Sequence, residues 1–266
     1  MMSAELSEIK LPKSLEVQWH DKIALLRIVR PEKRNALNDP TVLGIDTFFS
    51  NIPEHVRAVV IEAGGENFSA GLDLSEIRER STIDGVTHSM MWHDAFDKIE
   101  CGRVPIVSVL KGAVVGGGLE LASATHIRVA EKSAYYALPE GQRGIFVGGG
   151  GSVRVPRLIG AHRMADMMLT GRVYDAETGH AMGISHYLVE NGEGLTKAFE
   201  IAGKIVSNAP ITNFAVIQAL PRIAQANPRE GFLMEALMAA VAETSDDARE
   251  RLRAFLEKRA KKVTEF

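Results

Sequence analysis

Two glutamates are the residues of this sequence best placed to carry chemistry. Glu120 lies three residues after Gly117, in a run of apolar and small residues that predicts at least partial burial. Glu140 lies twenty residues further along and is followed by a glycine. Two carboxyl groups at one site separate their titrations, so one can act as a base while the other remains an acid. The pair therefore suggests general acid–base catalysis, although either glutamate alone is compatible with a solvated or salt-bridged role.

The glycines before Glu120 have a chemical use of their own. Gly116, Gly117 and Gly118 precede a predicted helix, whose first N–H groups lack helical partners and lie at the positive end of its dipole. Because glycine has no side chain, a substrate oxygen can approach those N–H groups closely. The run is a candidate oxyanion site, in which one donor aimed at developing charge is worth about 3–4 kcal/mol. A sharp turn or close packing of the helix on a strand also accounts for these glycines.

A second segment offers a further backbone donor. Residues 67–74 (NFSAGLDL) follow a short apolar run and contain asparagine, serine and glycine, which is typical of a strand-to-helix turn. The backbone of this turn could supply a second N–H group to the same oxyanion. Taken alone, the segment is a loop with favourable turn chemistry.

These segments must be positioned by alternating strands and helices. Apolar runs predict buried strands at residues 23–29, 58–63, 106–110 and 127–130, with Pro31 and Gly64 beyond the ends of the first two. Helical stretches lie between them at about residues 41–49 and 90–99. This alternation is typical of the α/β class. One helix and one returning strand could bring Glu120 and Glu140 together.

The pattern changes from about residue 195. The 266 residues are enough for one large domain or a core with an appendage. Beyond residue 195, apolar residues recur at helical spacing in residues 195–205, 234–241 and 248–256, and Thr244 with Asp247 has the arrangement of a capping box. We therefore predict an α/β core over residues 1–195 and a helical module over residues 196–266. The apolar faces of that module exceed what one core needs, which predicts self-association.

Composition and motifs exclude several classes of function. The 31 lysines and arginines against 34 aspartates and glutamates give a net charge of −3, without the basic surplus that nucleic-acid binding needs. The single cysteine, Cys101, excludes an intramolecular disulfide, a multi-cysteine metal site and a CxxC redox pair. No dinucleotide-binding GxGxxG, P-loop, GxSxG or HExxH motif occurs.

The same features predict a soluble protein of the cytoplasm. Charged residues are mixed into the first thirteen positions, which predicts no signal peptide. No uninterrupted run of 18 apolar residues occurs, so we expect no membrane span. A single cysteine is typical of a reducing compartment.

Six segments, taken together, resemble the enoyl-CoA hydratase/isomerase family, also called the crotonase superfamily. They are residues 30–37 (RPEKRNAL), 68–74 (FSAGLDL), 112 with 116–122 (GGGLELA), 138–140 (LPE) with 144 and 148–151, 169–172 (LTGR) and 253–259 (RAFLEKR). Each segment is weak alone. Six of them in the family order, covering about residues 15–260, make a strong resemblance.

The resemblance implies a fold, an assembly and a substrate. The fold would be a spiral of ββα units, and the C-terminal helical module would make trimer contacts, giving a trimer or a dimer of trimers. The substrate would be an acyl-CoA thioester, as in fatty-acid β-oxidation. No metal and no redox cofactor would be needed, because coenzyme A enters as part of the substrate.

The resemblance also implies roles for individual residues. The N–H groups of Leu72 and Gly117 would form the oxyanion hole. Further residues would bind the substrate or its CoA moiety, and they are Ala70, Asp73, Leu74 and Gly116, with Arg30, Lys33 and Arg34 as candidates for the CoA phosphates. The three basic residues are also explained as a solvated basic turn. Phe255 and Lys258 would reach CoA in a neighbouring subunit.

Within this family, the two glutamates favour hydration of a trans-2-enoyl-CoA. Hydratases carry a glutamate at the positions of both Glu120 and Glu140, whereas many 3-enoyl/2-enoyl-CoA isomerases lack the first. Glu120 would orient and deprotonate the water that attacks the β-carbon, and Glu140 would deliver a proton to the α-carbon. Gly148 stands where dienoyl-CoA isomerases and 4-chlorobenzoyl-CoA dehalogenases carry an aspartate. The alternatives are an isomerase, a hydratase-lyase or hydrolase, and, more remotely, a non-catalytic scaffold.

Residues 81–93 would lie near the acyl end of such a substrate. Met90, Met91 and Trp92 could form a flexible wall for an acyl chain or ring, and helical core packing explains the same residues equally well. Two positions differ from the usual hydratase pattern. Thr125-His126 replaces a common Cys-Asp, and Arg143 follows Glu140, where it could pair with a carboxylate or lie on the surface.

Overall fold

The computed structural model describes residues 9–76, 79–257 and 259. Residues 1–8, on which the expectation of no signal peptide partly depends, and Lys258, expected to reach CoA, lie outside this described part. Within it the chain forms nine β-strands and ten α-helices. The strands are β1 (Leu15–His20), β2 (Ile23–Ile28), β3 (Ala58–Ala63), β4 (Ile106–Leu110), β5 (Ala113–Val115), β6 (Ile127–Glu131), β7 (Tyr135–Ala137), β8 (Tyr174–Asp175) and β9 (Tyr187–Val189). The helices are α1 (Asp39–Ser50), α2 (Thr82–Glu100), α3 (Gly117–Ala124), α4 (Gly151–Ile159), α5 (Ala161–Thr170), α6 (Ala176–Met182), α7 (Gly194–Val206), α8 (Pro210–Gln225), α9 (Pro228–Glu243) and α10 (Asp246–Leu256).

A six-stranded sheet in the order β1-β2-β3-β4-β6-β9 forms the centre of the structure. β1 and β2 are antiparallel, and all later neighbours are parallel, with Leu25 opposite Val60 and Val60 opposite Val107. β3 and β4 are buried along their whole lengths. Parallel strands covered on both faces have continuous apolar sequences, and the apolar runs therefore predicted β3 and β4 to the residue. β2 ends one residue earlier than predicted, and β6 ends one residue later.

The two helices predicted between the first strands are longer than their apolar spacing indicates. α1 is capped by Asn38, whose side chain accepts a hydrogen bond from the Thr41 N–H. α2 is capped in the same way by Ser81, which accepts from the Asp84 N–H. The first two turns of α2 are mostly polar and contain Gly85, and their apolar residues Ile83 and Val86 are exposed, so helical periodicity becomes visible only in the second half.

A smaller sheet joins β5, β7 and β8 beside the N-terminus of α3. β5 and β7 are parallel, and β7 and β8 are antiparallel. None of these strands exceeds three residues, which is too short for alternation to be recognised in the sequence. The Gly116 N–H donates to the Ala137 carbonyl at 2.9 Å, so the chain that leaves β7 is held against the start of α3.

Two apolar clusters stabilise these layers from opposite faces of the central sheet. The larger cluster includes Phe48 of α1, Phe96 of α2 and Leu121 of α3. The smaller cluster packs Ala198 and Ala202 of α7 against the strands, through Leu25, Val60, Val107, Val109 and Val129. The helix that begins at Gly194, α7, is therefore packed on the central sheet. The predicted division at residue 195 stays a prediction.

Helices follow one another from residue 194 onward, and α7, α9 and α10 contain the three stretches that the apolar spacing predicted, whereas α8 was not among them. α8 and α9 pack on each other, and α10 contacts α9. Large apolar side chains of these helices are exposed, and they include Phe232, Leu237, Leu252, Phe255 and Leu256. None of the helices in the described residues is both long and apolar enough to cross a bilayer.

The predicted capping box before α10 is wrong by one residue. Thr244 keeps a helical conformation at the end of α9, and its hydroxyl donates to the Val241 carbonyl. Ser245 has extended backbone angles instead, and its hydroxyl accepts from the Ala248 N–H at 3.1 Å. The cap is therefore a single serine. Two adjacent hydroxyl residues cannot be told apart by spacing alone, because the end of α9 decides which one is free.

Candidate active site

A cavity of about 380 Å³ lies at the N-terminus of α3. Four segments line it: the loop after β3, one face of α2, the turn from β5 into α3, and the loop between β7 and α4. The predicted site residues among its lining are Ala70, Leu72, Leu74, Gly116, Gly117, Glu120 and Glu140. The structure thus brings together both glutamates and both predicted oxyanion donors, although they come from separate parts of the chain.

Pairing on one side of the loop after β3 turns the Leu72 N–H toward the cavity. The Leu37 N–H donates to the Gly71 carbonyl at 2.7 Å, and the Asp73 N–H donates to the Leu37 carbonyl at 2.8 Å. These two bonds form a parallel bridge between Leu37 and Leu72. In such a bridge the groups flanking Leu72 face Leu37, so the N–H of Leu72 itself faces the opposite side.

The N–H of Gly117 faces the same gap. Gly116 caps α3 with φ +53 and ψ −124, which only glycine adopts readily, and Gly117 is the first helical residue. A Cβ built on Gly71 would lie 3.2 Å from the Gly117 nitrogen. A Cβ built on Gly117 would lie 3.5 Å from the Leu72 nitrogen. Neither N–H donates to an acceptor among the described residues, so both are free to bind one oxygen.

Glu120 is held in place by the glycine loop before α4. Glu120 is only 4% exposed, and its Oε1 accepts hydrogen bonds from the N–H groups of Gly149 and Gly151, each at 2.8 Å. Burial raises the pKa of Glu120, while the two N–H bonds and the nearby positive charge of Arg154 oppose that rise without cancelling it. The two backbone donors orient the carboxylate through Oε1, and Oε2 accepts no hydrogen bond from the residues that the structure describes.

Glu140 lies beside Gly116, at the start of α3. A Cβ on Gly116 would lie 2.8 Å from Glu140 Oε1, which places this carboxyl group beside the start of α3. Its Oε2 is buried and has no hydrogen-bond partner among the described residues. Burial raises the pKa of Glu140 to about 7, the negative charge of Glu120 adds to the rise, and Arg143 opposes it. Near neutral pH, Glu140 is therefore divided between its acid and base forms.

Four predicted residues, Asp73, Arg30, Lys33 and Arg34, do not line the cavity. Asp73 is buried and pairs with Arg30, whose Nη2 lies 2.7 Å from Asp73 Oδ2, and Lys33 Nζ lies 3.7 Å from Oδ1. Burial raises the pKa of Asp73, but hydrogen bonds from Arg30 and Ser75 outweigh it and hold the pKa well below its usual range. Arg34 is exposed. Asp73 and Arg30 thus brace the loop, and the CoA-binding role of all four residues stays a prediction.

One face of α2 forms the wall opposite α3. Ser81, Gly85, His88, Ser89 and Trp92 line the cavity at helical spacing. Of the two explanations left open for the methionines, core packing applies to Met91, which packs on the core, whereas Met90 is 56% exposed, and neither lines the cavity. Trp92 does line the cavity, with its ring edge-on to Phe96 at 5.6 Å between centroids.

Several neighbours of the cavity were not predicted. His88 Nε2 lies 2.7 Å from Asp39 Oδ1, which joins α2 to the start of α1. The run of four glycines at 148–151 was visible in the sequence, but its bonds to Glu120 were not. By contrast, Arg143, for which the sequence left a carboxylate pair or a surface position open, is exposed and lines the cavity, and it forms no ion pair with the residues that the structure describes. No group of three or more His, Cys, Asp or Glu side chains suited to a metal ion occurs among the residues that the structure describes.

The unusual Thr125-His126 pair has a structural explanation away from the cavity. His126 Nδ1 accepts from the Ile106 N–H at 3.0 Å, and its Nε2 lies 3.1 Å from the Glu100 carbonyl. Burial lowers the pKa of His126 to about 4, so the ring is neutral. Thr125 is buried and hydrogen-bonds Ser108. The pair therefore ties β4 to the end of α2.

Comparison with known proteins identifies sequences similar along almost the whole chain. The sequence profile of the family described as enoyl-CoA hydratase/isomerase matches residues 18–265. The chain is 33% identical over 241 residues to a short-chain-enoyl-CoA hydratase of Clostridium acetobutylicum, covering 90% of this chain and 92% of that protein. It is 28% identical over 250 residues to a crotonyl-CoA hydratase of Syntrophomonas wolfei, covering 93% and 96% of the two chains.

Solved structures agree with this result. A crystal structure of a Rhodopseudomonas palustris protein, provisionally assigned as an enoyl-CoA hydratase, is 59% identical with a TM-score of 0.90 and covers 92% of this chain and 95% of that chain. An enoyl-CoA hydratase from Bacillus anthracis is 29% identical with a TM-score of 0.87, covering 93% and 97%. These similarities confirm the predicted α/β fold class.

Proposed function

This chain belongs to the enoyl-CoA hydratase/isomerase family, and we propose that it is an enoyl-CoA hydratase that adds water across the double bond of a 2-enoyl-CoA thioester. The observation that carries the proposal is the meeting of Glu120 and Glu140 in one cavity beside the N–H groups of Leu72 and Gly117. Acid, base and oxyanion donors are the groups that addition of water to a conjugated thioester requires. The alternatives within the family use the same donors but need only one of the two glutamates.

The thioester carbonyl oxygen binds between the Leu72 and Gly117 amides. Attack at the β-carbon moves electron density onto this oxygen, and the two N–H groups stabilise the resulting enolate. Both donors are fixed by backbone geometry before the substrate arrives, so little reorganisation accompanies the reaction. Gly71 and Gly117 keep the approach open, because a side chain at either position would crowd the gap.

The two glutamates divide the proton transfers. Glu120, anchored as a carboxylate by the Gly149 and Gly151 N–H groups, accepts a proton from the water whose oxygen bonds to the β-carbon. Glu140, with a pKa near 7 and an unpartnered buried oxygen, donates its proton to the α-carbon. The proton that Glu120 took from water then passes to Glu140. This transfer restores both side chains, and one water is added to the substrate in total. No metal or redox cofactor takes part in this scheme, and coenzyme A enters with the substrate.

The assembly, the compartment and the pathway are further proposals. The exposed apolar side chains of α9 and α10 support assembly into a trimer or a dimer of trimers. Phe255, which is 69% exposed, is free to approach a neighbouring subunit. A single cysteine favours a cytoplasmic location. A role in fatty-acid β-oxidation follows from the proposed substrate class.

Isotope labelling tests the proposed reaction directly. Wild-type protein is incubated with crotonyl-CoA in water enriched in oxygen-18, and the products are analysed by mass spectrometry. We expect 3-hydroxybutyryl-CoA with one labelled oxygen. A parallel incubation with a 3-enoyl-CoA detects isomerisation without uptake of label. Efficient isomerisation together with no hydration of 2-enoyl thioesters of any chain length would replace the hydratase proposal with the isomerase.

A further inference from the structure

A buried arginine lies behind the glycine loop that binds Glu120, and no step of the proposed reaction uses it. Arg154 of α4 is 8% exposed. Its Nε donates to Glu100 Oε2 at 2.5 Å, and its Nη1 donates to the Gly149 carbonyl at 3.2 Å. Glu100 is the last residue of α2, so the arginine connects the end of α2 to the loop.

The loop is enclosed between this guanidinium group and the Glu120 carboxylate. Gly149 accepts from Arg154 through its carbonyl and donates to Glu120 through its N–H. Gly150 has φ +94, and a Cβ there would lie 2.2 Å from Arg154 Nη1. A Cβ on Gly151 would lie 2.8 Å from Glu120 Cγ. A side chain at either glycine would therefore collide with one of the two groups that enclose the loop.

We infer that Arg154 is a positioning residue for the hydration reaction, which fixes the glycine loop so that Gly149 and Gly151 hold the Glu120 carboxylate toward the cavity. The inference rests on the proposed catalytic role of Glu120. Arg154 contacts the loop rather than the reacting atoms, so it acts through Glu120. Its ion pair with Glu100 keeps the buried guanidinium charge compensated.

Loss of Arg154 should change the electrostatic surroundings of Glu120. The charged or titratable side chains that act on Glu120 are His93 on α2, Glu140 after β7 and Arg154 on α4. Removal of Arg154 takes away a positive charge and loosens two N–H bonds, and both changes favour the protonated form of Glu120. The acidic limb of the pH profile of kcat would therefore move to higher pH.

Arg154→Gln, Arg154→Lys and a matched control, Arg157→Gln, test the inference. Arg157 lies on the same helix and is 3.7 Å from the same Glu100 carboxylate. Among the residues that the structure describes, it forms no hydrogen bond to the glycine loop. For Arg154→Gln we expect kcat for crotonyl-CoA to fall about 10- to 100-fold, the loss typical of a misplaced catalytic group. KM should stay within about threefold of the wild-type value. The acidic limb of the pH profile of kcat should move to higher pH. Arg154→Lys should recover part of the lost kcat and show a smaller displacement of the acidic limb. Arg157→Gln should match wild type in both quantities.

A second readout does not depend on turnover. The Glu120 carboxyl resonance, assigned by its loss in Glu120→Gln, is titrated by carbon-13 NMR in wild type and in the Arg154 variants. A higher midpoint in Arg154→Gln supports the inference, and if that variant does not fold, Arg154→Lys carries the same test. An unchanged midpoint and acidic limb, whatever happens to stability, would overturn it. Absence of hydration by wild type would instead refute the proposed function and leave the NMR test of positioning intact.

Discussion

The N–H groups of Leu72 and Gly117 face one narrow gap, and a Cβ added to Gly117 would lie 3.5 Å from the Leu72 nitrogen. Leu72 is turned toward the gap by its bridge to Leu37, and Gly117 is the first residue of α3. Two donors from segments some forty-five residues apart therefore meet only in the folded chain. In the proposed reaction, this geometry would let two backbone N–H groups stabilise the enolate oxygen.

Gly117→Ala should reduce activity while the protein remains folded. The added methyl group would sit 3.0 Å from Trp92 Cζ3 and beside the Leu72 nitrogen, so it narrows the space for the thioester oxygen. Partial loss of a donor predicts a fall in kcat/KM of at least about tenfold. Gly203→Ala is the control, because nothing lies within 4 Å of a Cβ there and alanine stabilises an exposed helix by up to about 1 kcal/mol. Equal activity of both variants would contradict the oxyanion role.

The activity should fall as the pH rises through the pKa of Glu140. The proposed step needs Glu140 protonated, and burial raises its pKa to about 7. kcat/KM for crotonyl-CoA, which reports the groups of the free enzyme, should therefore decline from about pH 7 upward. A profile that increases steadily from pH 6 to pH 9 would show that Glu140 acts as a base instead.

Glu140→Gln should stabilise the protein at alkaline pH. A carboxyl group whose pKa is higher in the folded state than in the unfolded state favours folding at low pH, and this advantage is lost as the pH rises from 4.5 through about 7. The difference in pKa corresponds to at most about 3 kcal/mol. Urea unfolding should find the variant more stable than wild type at pH 8.5 and similar at pH 4.5. Equal stability at both pH values would mean that the folded protein does not hold the Glu140 proton more tightly.

Asp73→Asn should destabilise the loop that presents Leu72. It breaks the buried pair with Arg30 and the contact to Lys33, and removal of one partner from a buried pair costs about 3 kcal/mol. Because the pKa of Asp73 is lowered, the difference from wild type is present above about pH 4 and shrinks below it. Asp166→Asn, which breaks the exposed pair with Arg172, is the control and should leave the urea midpoint unchanged. A similar, small change of the urea midpoint in both variants would mean that Asp73 does not stabilise the loop that presents Leu72.

The elements buried on both faces were the part of the fold best predicted from the sequence. β3 and β4 are apolar except for Glu62 and Ser108, since both of their faces are buried, so their limits are visible directly. β5, β7 and β8 contain two or three residues each and have no pattern of their own. They pair where the start of α3 and the end of β7 meet through the Gly116–Ala137 hydrogen bond, and a linear pattern does not contain that contact.

The candidate site was predicted through its short-range motifs and missed where its contacts are long-range. The glycine run before Glu120 predicted a helix start with free donors, and α3 begins at Gly117. The bonds from Gly149 to Glu120 and to Arg154 join residues of three different segments. Met90 and Trp92 are both apolar, and only the rotation of α2 decides that Trp92 faces the cavity while Met90 faces solvent.

The measurement that tests the account most directly is the loss of the conjugated enoyl absorbance of crotonyl-CoA, followed for wild type, Glu120→Gln and Glu140→Gln at pH 7. Gln keeps the shape of each side chain but cannot carry or exchange the proton. We predict turnover by wild type and a fall in kcat of at least about 10²-fold in each variant, with both variants folded by circular dichroism. Wild-type turnover that survives in either variant would contradict hydration by a pair of glutamates.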